Sequence, residues 1–263
     1  LVLSYSNILE IYMENEKLVG VIDEPISDKT HDALKIELHS SSLVEFIENT
    51  STPMTIGIQG EWGSGKTSLL NSIKAQLSNN DRYKQIWINS WENALLTSAE
   101  ETLIKIINSI IEELIKSDKD ITRKEKILSA ASSVFKGAMR VGAAATVGTE
   151  AGDQIANEFL GKDNNGIKNL KSQLKELALN IQKRPSNPYE KIIIYVDDLD
   201  RIEPREAVKI LELLKNIFSI TGCVFILAID YQVVVKGLEH KFGKQTTENE
   251  WEFRAFFDKI IQL

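Results

Sequence analysis

The stretch GEWGSGKT at residues 60–67 decides the fold, because it matches GxxxxGK[ST], the pattern of glycine-rich loops that cradle phosphate groups. The apolar run MTIGIQ at residues 54–59 precedes it and predicts a short buried strand. A helix over residues 67–77 is predicted by apolar side chains at helical spacing, namely Leu69, Leu70, Ile73 and Leu77. Strand, glycine-rich turn and helix therefore follow one another in the order that phosphate binding needs.

The residues of this loop have separate predicted roles. Gly60, Gly63 and Gly65 allow backbone with positive φ, which brings N–H groups close to a triphosphate. The N-terminus of the following helix adds its partial positive charge. Lys66 is predicted to reach the β and γ phosphates and to act in catalysis, and the Thr67 hydroxyl to bind Mg²⁺. The predicted nucleotide-binding residues are Gly60, Glu61, Trp62, Gly63, Ser64, Gly65, Lys66, Thr67 and Ser68, with Asp230 further along the chain.

The composition limits the class of protein and its partners. The 263 residues, 43% hydrophobic and 26% charged, suit one large globular domain or a core with an insertion. The net charge of -7 does not indicate nucleic acid as a partner and does not favour a membrane, although a local basic patch is compatible with it. The single cysteine, Cys223, excludes an internal disulfide framework and favours a reducing, cytoplasmic compartment. With three histidines besides, a Cys/His metal site is not credible.

Strands and helices alternate along most of the chain. Further strands are predicted over residues 84–89, 191–196 and 223–229. Further helices are predicted over residues 34–47, 98–116 and 204–218, the last with Pro204 in its first turn. Because strands that alternate with helices form parallel sheets covered on both faces, the expected fold is α/β with three layers.

Residues 118–188 are too many for one crossover between strands and predict an inserted helical segment. Its centre, residues 127–147, is rich in Ala, Gly and Ser but contains Lys136 and Arg140. Each such charge costs roughly 2.5–3.5 kcal/mol at the middle of a bilayer, so a soluble helical hairpin is favoured over peripheral membrane association or a loosely ordered segment.

The predicted division is an N-terminal extension and helix (1–50), the first part of the core (51–117), the insertion (118–188) and the second part of the core (189–263).

The run KIIIYVDDLDR, which ends at Arg201, supplies a candidate second half of the site. Asp197 directly follows an apolar strand and is predicted to bind the metal, and Asp198 to polarise the attacking water; both are candidate catalytic residues. For Asp200, a structural role such as capping or pairing with Arg201 is weighed equally with a chemical one. Asp230 ends the next strand, where it would either sense the terminal phosphate or cap the following helix.

Two arginines and three tryptophans leave alternatives open. Arg201 and Arg205 would act as arginine fingers toward a neighbouring copy or form local ion pairs, which is favoured for Arg205. Trp62 is expected to form a packing lid rather than a platform for a base. Trp87 is expected in the core, and for Trp91 core packing is preferred over a place at the edge of the site.

These motifs resemble the KAP family of P-loop NTPases, within the ASCE division. The resemblance covers most of the chain outside the insertion and rests on DEPIS (23–27), GEWGSGKTSLL (60–70), INSWEN (88–93), VDDLDRIEP (196–204), VFILAIDYQVV (224–234) and FDKIIQL (257–263). It implies a parallel sheet of order 5-1-4-3-2, ATP hydrolysis and, in many members, membrane segments between the two halves of the site. Bacterial members commonly act in phage exclusion, and animal members are signalling scaffolds. The chain stops where the fifth strand would begin, so that strand and an effector domain are expected beyond Leu263.

The function expected from these features is Mg²⁺-dependent binding and hydrolysis of ATP that drives or gates a partner, in bacterial antiviral defence. One alternative is a nucleotide-gated scaffold or switch with little turnover, because an aspartate reaches less far than a glutamate as a base. The other is a small-molecule kinase, for which the Ala/Gly-rich insertion lacks clustered arginines. The absence of an NKxD pattern favours adenine over guanine. The expected partners are further copies of the chain and an effector domain or protein.

Overall fold

The computed structural model describes residues 36–94, 99–116, 122–123, 125–127, 129–130, 164–183 and 188–261. Its strands are β1 (Met54–Gln59), β2 (Tyr83–Asn89), β3 (Lys191–Asp197) and β4 (Cys223–Ile229). Its helices are α1 (Ile36–Asn49), α2 (Lys66–Leu77), α3 (Ser90–Ala94), α4 (Ala99–Lys116), α5 (Asn164–Gln182), α6 (Pro204–Phe218), α7 (Tyr231–Phe242) and α8 (Glu250–Ile260). A 3₁₀ turn, Leu199–Arg201, connects β3 to α6.

The four described strands form one parallel sheet in the order β1-β4-β3-β2. This confirms the predicted α/β class, and it agrees with the predicted 5-1-4-3-2 order for the strands that the structure describes. The register pairs Gln59 with Ile229 and Asn89 with Asp197, at the carboxyl ends of their strands. The loops that follow all four strands therefore start from one edge of the sheet.

Helices cover both faces of this sheet, which explains why β3 and β4 consist almost wholly of apolar residues. Every residue of these two strands is buried. On one face, α1 and α2 pack with alternate residues of the strands, such as Ile193 and Tyr195. On the other face, residues such as Ile194 and Val196 pack in a larger cluster with α4, α5, α6, α7 and α8. The alternation along β3 thus divides its side chains between two cores.

Most predicted element boundaries agree with the structure within two residues, and α6 and β4 have the predicted bounds. Helix α5 lies inside the interval predicted as an insertion. Its apolar side chains belong to the larger core cluster: Leu170, Leu174, Leu177, Ala178 and Ile181. Apart from short helical pieces at 127 and 129–130, the centre of that interval (127–147) lies outside the described residues. Within the described part of the chain, no helix has the length and apolar character needed to cross a membrane.

A buried lysine joins the start of β3 to the end of α1. The Lys191 ammonium donates hydrogen bonds to the carbonyl oxygens of Ile47 and Glu48 at 2.7 Å and of Thr50 at 2.8 Å. The last carbonyls of a helix have no partner within the helix, and a cation is favoured at that end. Burial lowers the pKa of Lys191 from its ordinary value, while the three acceptors favour its charged form. Lys191 therefore caps α1 and fixes it to the sheet.

We expect Lys191→Met to lower the free energy of unfolding by about 2–4 kcal/mol, because three carbonyl groups lose their donor at a mostly buried position. Urea unfolding measures this change. Lys175→Met, on the exposed side of α5, is the matched control and should stay within about 0.5 kcal/mol of the unchanged protein. Equal stability of the two variants would contradict the capping role.

Candidate functional site

The loop between β1 and α2 has the backbone shape that the glycine pattern requires. Gly63 has φ 78° and Gly65 has φ 87°, a left-handed conformation that L side chains rarely adopt. The Gly60 N–H donates to the Ile229 carbonyl oxygen at 3.2 Å, which ties the start of the loop to the end of β4. A side chain at Gly60 would clash with the Ser64 hydroxyl. The loop therefore leads directly into the N-terminus of α2, as an anion-binding loop must.

Lys66, the first residue of α2, is turned back into the loop. Its Nζ donates to the carbonyl oxygens of Gly60 and Glu61, both at 2.9 Å. Its third partner is the Asp200 carboxylate, whose Oδ2 lies 2.8 Å away. Since an ammonium group has three donors, each N–H of Lys66 has a partner in this structure.

Asp197 lies at the end of β3 and is almost completely buried, with 2% of its surface exposed. Its Oδ1 accepts a hydrogen bond from the Asp198 N–H at 2.9 Å, and its carboxylate also bonds the side chain of Thr67. Burial raises the pKa of Asp197, and the two hydrogen bonds only partly offset this. A buried carboxylate beside a hydroxyl offers hard oxygen ligands, which suit Mg²⁺. Thr67 and Asp197 are therefore placed together, as a shared metal site would need.

No cluster of three or more Asp, Glu, His or Cys residues is arranged for a metal ion in the described residues. Thr67 and Asp197 would therefore hold a Mg²⁺ ion as a pair of protein ligands. Mg²⁺ is commonly bound in this way, through one or two protein ligands.

Asp198 is held by two side chains and has an unusual backbone. Its φ is 59°, the only positive value for a residue other than glycine among those described. Its Oδ2 accepts from Asn89 Nδ2 at 3.1 Å, and its Oδ1 pairs with Arg201 Nε at 2.6 Å. The predicted base therefore has a fixed position beside Asp197, with both oxygens engaged.

Asn89 is a site residue that the sequence analysis did not single out. It ends β2 in register with Asp197, and α3 begins at the next residue. The available signal was its position: a polar side chain as the last residue of a strand, at the edge where the other strands end.

The expectations for the charged residues after β3 need correction. Asp200 pairs with Lys66 and not with Arg201, because the 3₁₀ turn directs the two side chains to different partners. Arg201 forms a local ion pair with Asp198, which was one of its two expected roles. Arg205 is exposed and has no ion pair among the described residues, so the local pair favoured for it is absent there.

Expected places were given for three of the chain's four tryptophans, and two of these depart from them. Trp62 is 74% exposed, so it does not form the packing lid expected for it; its ring centroid lies 6.0 Å from Arg201 Cζ. Trp91 is 39% exposed, so core packing is wrong for it; it lies in α3, directly after β2. Trp87 packs against the smaller core cluster as predicted, with its ring stacked on that of Tyr195.

Asp230 follows β4 and caps α7. Its Oδ1 accepts a hydrogen bond from the Gln232 N–H at 2.8 Å, which is the geometry of a helix N-cap. Because β4 lies between β1 and β3, Asp230 follows a strand next to the phosphate-binding loop. The capping role expected for Asp230 is therefore present, and a role in phosphate sensing stays a prediction.

The arrangement as a whole can bind a phosphate ester and place a carboxylate beside it. Comparison with known proteins agrees with this chemistry. A family model described as "KAP family P-loop domain" matches residues 36–263. One similar curated protein is the "Phage T7 exclusion protein" of Escherichia coli (strain K12), which is 24% identical over 230 residues. The match covers 79% of this chain but only 29% of that protein.

The backbone strain at Asp198 gives a prediction with a built-in control. Asp198→Gly and Asp198→Ala lose the same contacts with Asn89 and Arg201, but only glycine adopts a φ near 59° without strain. We expect the glycine variant to be the more stable of the two by about 1 kcal/mol in urea unfolding. An alanine variant that is as stable would show that this conformation is not enforced by the surrounding structure.

Proposed function

This chain belongs to the KAP family of P-loop domains, and from that premise we propose that it binds ATP with Mg²⁺ and hydrolyses the terminal phosphate. The observation that carries the proposal is the environment of Lys66. An almost completely buried lysine at a helix N-terminus, held by the carbonyl oxygens of a loop with positive φ at Gly63 and Gly65, has the chemistry of a phosphate-binding site.

Magnesium binding is supported by the pairing of Thr67 with Asp197. Burial of the Asp197 carboxylate is costly, which its raised pKa reflects. Thr67 and Asp197 would hold Mg²⁺, whose charge would compensate that of the carboxylate. The ion would supply neutralisation of the charge that develops on the phosphate in the reaction.

Asp198 is the residue proposed to orient and deprotonate the attacking water. Its carboxylate follows the metal-side Asp197 and lies at the same edge of the sheet as the loop. The hydrogen bond from Asn89 fixes its direction, and Arg201 compensates its charge. The chain thus supplies a phosphate-binding cation, a metal-side carboxylate and a base.

A second candidate function, a nucleotide-gated switch with little turnover, is favoured by one observation. Both oxygens of Asp198 already have partners, so a water oriented by Asp198 would have to share an oxygen with Asn89 or Arg201. A switch would bind ATP tightly and hydrolyse it slowly. Single-turnover kinetics separate the two: slow chemistry with retained ATP supports the switch.

The role of the site in the cell is proposed from the curated relative. That protein is called a phage exclusion protein, and this chain corresponds to less than a third of its length. We propose that nucleotide turnover in this domain drives or gates an effector in antiviral defence, with further copies of the chain as partners. A kinase function has less support, because it predicts clustered arginines in the insertion, and residues 127–147 contain one, Arg140.

We expect Lys66→Ala to weaken ATP binding roughly 10- to 100-fold, because the phosphates lose their charge-assisted hydrogen bonds. Calorimetric titration in Mg²⁺ measures this, and circular dichroism verifies that the variant folds. Lys175→Ala on α5 is the control and should bind as the unchanged protein does.

Asp198→Asn should leave ATP binding intact and lower turnover by roughly 10²–10⁴-fold, since an amide cannot take the proton. Phosphate release under single-turnover conditions measures the loss. If the Asp198→Asn protein hydrolyses ATP at the original rate, the assigned base is wrong. If the unchanged protein does not bind ATP, the proposed function is wrong as a whole.

Asp197→Asn tests the metal site separately. The unchanged protein should bind ATP more tightly in Mg²⁺ than in EDTA. We expect the Asp197→Asn variant to bind ATP with equal affinity in both, because its amide is a poor ligand for the hard cation. Asp258→Asn, an exposed site on α8, provides the same change of charge away from the loop. If the Asp197→Asn variant keeps the full gain in ATP affinity from Mg²⁺, Asp197 is not a ligand of the metal.

A further inference from the structure

The ion pair between Lys66 and Asp200 joins the phosphate-binding loop to the turn after β3. The Nζ and Oδ2 atoms lie 2.8 Å apart, and the two side chains are only 8% and 7% exposed. The Gly60 and Glu61 carbonyl oxygens take the remaining donors of Lys66. A phosphate that binds Lys66 must therefore displace one of three existing partners.

The charges decide which partner leaves. The two carbonyl groups are neutral and belong to the loop that wraps the phosphate. The Asp200 carboxylate has the same sign as the phosphate and holds the Lys66 ammonium at hydrogen-bond distance, so the two anions would repel each other strongly in this poorly solvated place. If the phosphate displaces Asp200, the repulsion between the two anions is relieved. If it displaces a carbonyl group, the repulsion remains.

We propose that Asp200 is a built-in competitor of the nucleotide phosphates for Lys66 and thereby sets the affinity of the site. The inference rests on the proposed function, since it assumes that Lys66 binds phosphate. Without nucleotide, the carboxylate compensates a cation that would otherwise be buried alone. With nucleotide, the phosphate takes that place and Asp200 gives up the contact.

Asp200→Asn tests the competition, because it keeps the shape of the side chain and removes its charge. We expect this variant to bind ATP in EDTA at least about tenfold more tightly than the unchanged protein in calorimetric titration. The gain should be equally large for inorganic triphosphate, since Asp200 competes with the phosphates and not with the adenine ring. Asp258→Asn, with the same charge change on the exposed face of α8, should show no gain.

An Asp200→Asn protein that binds both ligands no more tightly than the unchanged one overturns the proposal. A gain for ATP without a gain for triphosphate also overturns the proposal, because Asp200 would then affect binding of the adenosine part and not of the phosphates. These outcomes leave the proposed function intact. If the unchanged protein binds neither ATP nor triphosphate, the proposed function itself is wrong.

A measurement without ligand tests the pair even if Asp200→Asn folds poorly. Lys66→Met leaves the Asp200 carboxylate buried without a cation, whereas Lys66→Met combined with Asp200→Asn removes both charges. We expect the double variant to unfold at a higher urea concentration than the Lys66→Met protein. An equal or lower midpoint would show that the two charges are not coupled.

Discussion

The parallel pairing of β1, β4, β3 and β2 is the constraint on which the site depends. It brings the carboxyl ends of strands that are far apart in sequence to one edge of the sheet. There Thr67, at the start of α2, meets Asp197 at the end of β3, and Asn89 at the end of β2 lies in register with Asp197. Burial of β3 and β4 on both faces fixes this register, because a slip by one residue would exchange the side chains of the two cores.

Within that edge, two ion pairs bring opposite charges together. Lys66 and Asp200 are buried together, and Asp198 is paired with Arg201. An isolated charge in a buried place is strongly unfavourable, so Asp200 stabilises the Lys66 ammonium inside the loop. The turn Leu199–Arg201 carries both Asp200 and Arg201, the partners of Lys66 and of Asp198.

Local sequence was sufficient to predict the loop, the strand before Asp197 and helix α6, because each depends on patterns within a few residues. Contacts between distant segments were not predictable in this way. Asn89 bonds Asp198 across 109 positions, and Lys191 reaches the end of α1 across 144. Apolar spacing also could not show that α5 is part of the core, since its partner helices lie elsewhere in the chain. Trp91 was misplaced because hydrophobicity alone favours burial, whereas its position after β2 leaves it at the surface.

The central proposal is that Lys66 exchanges the Asp200 carboxylate for a phosphate. A crystal structure of the protein with a non-hydrolysable ATP analogue and Mg²⁺ tests this most directly. We expect the Lys66 ammonium within hydrogen-bond distance of a phosphate oxygen, and the Asp200 carboxylate beyond ion-pair distance from it. A nucleotide bound in the loop while the 2.8 Å contact between Lys66 and Asp200 persists would contradict the account.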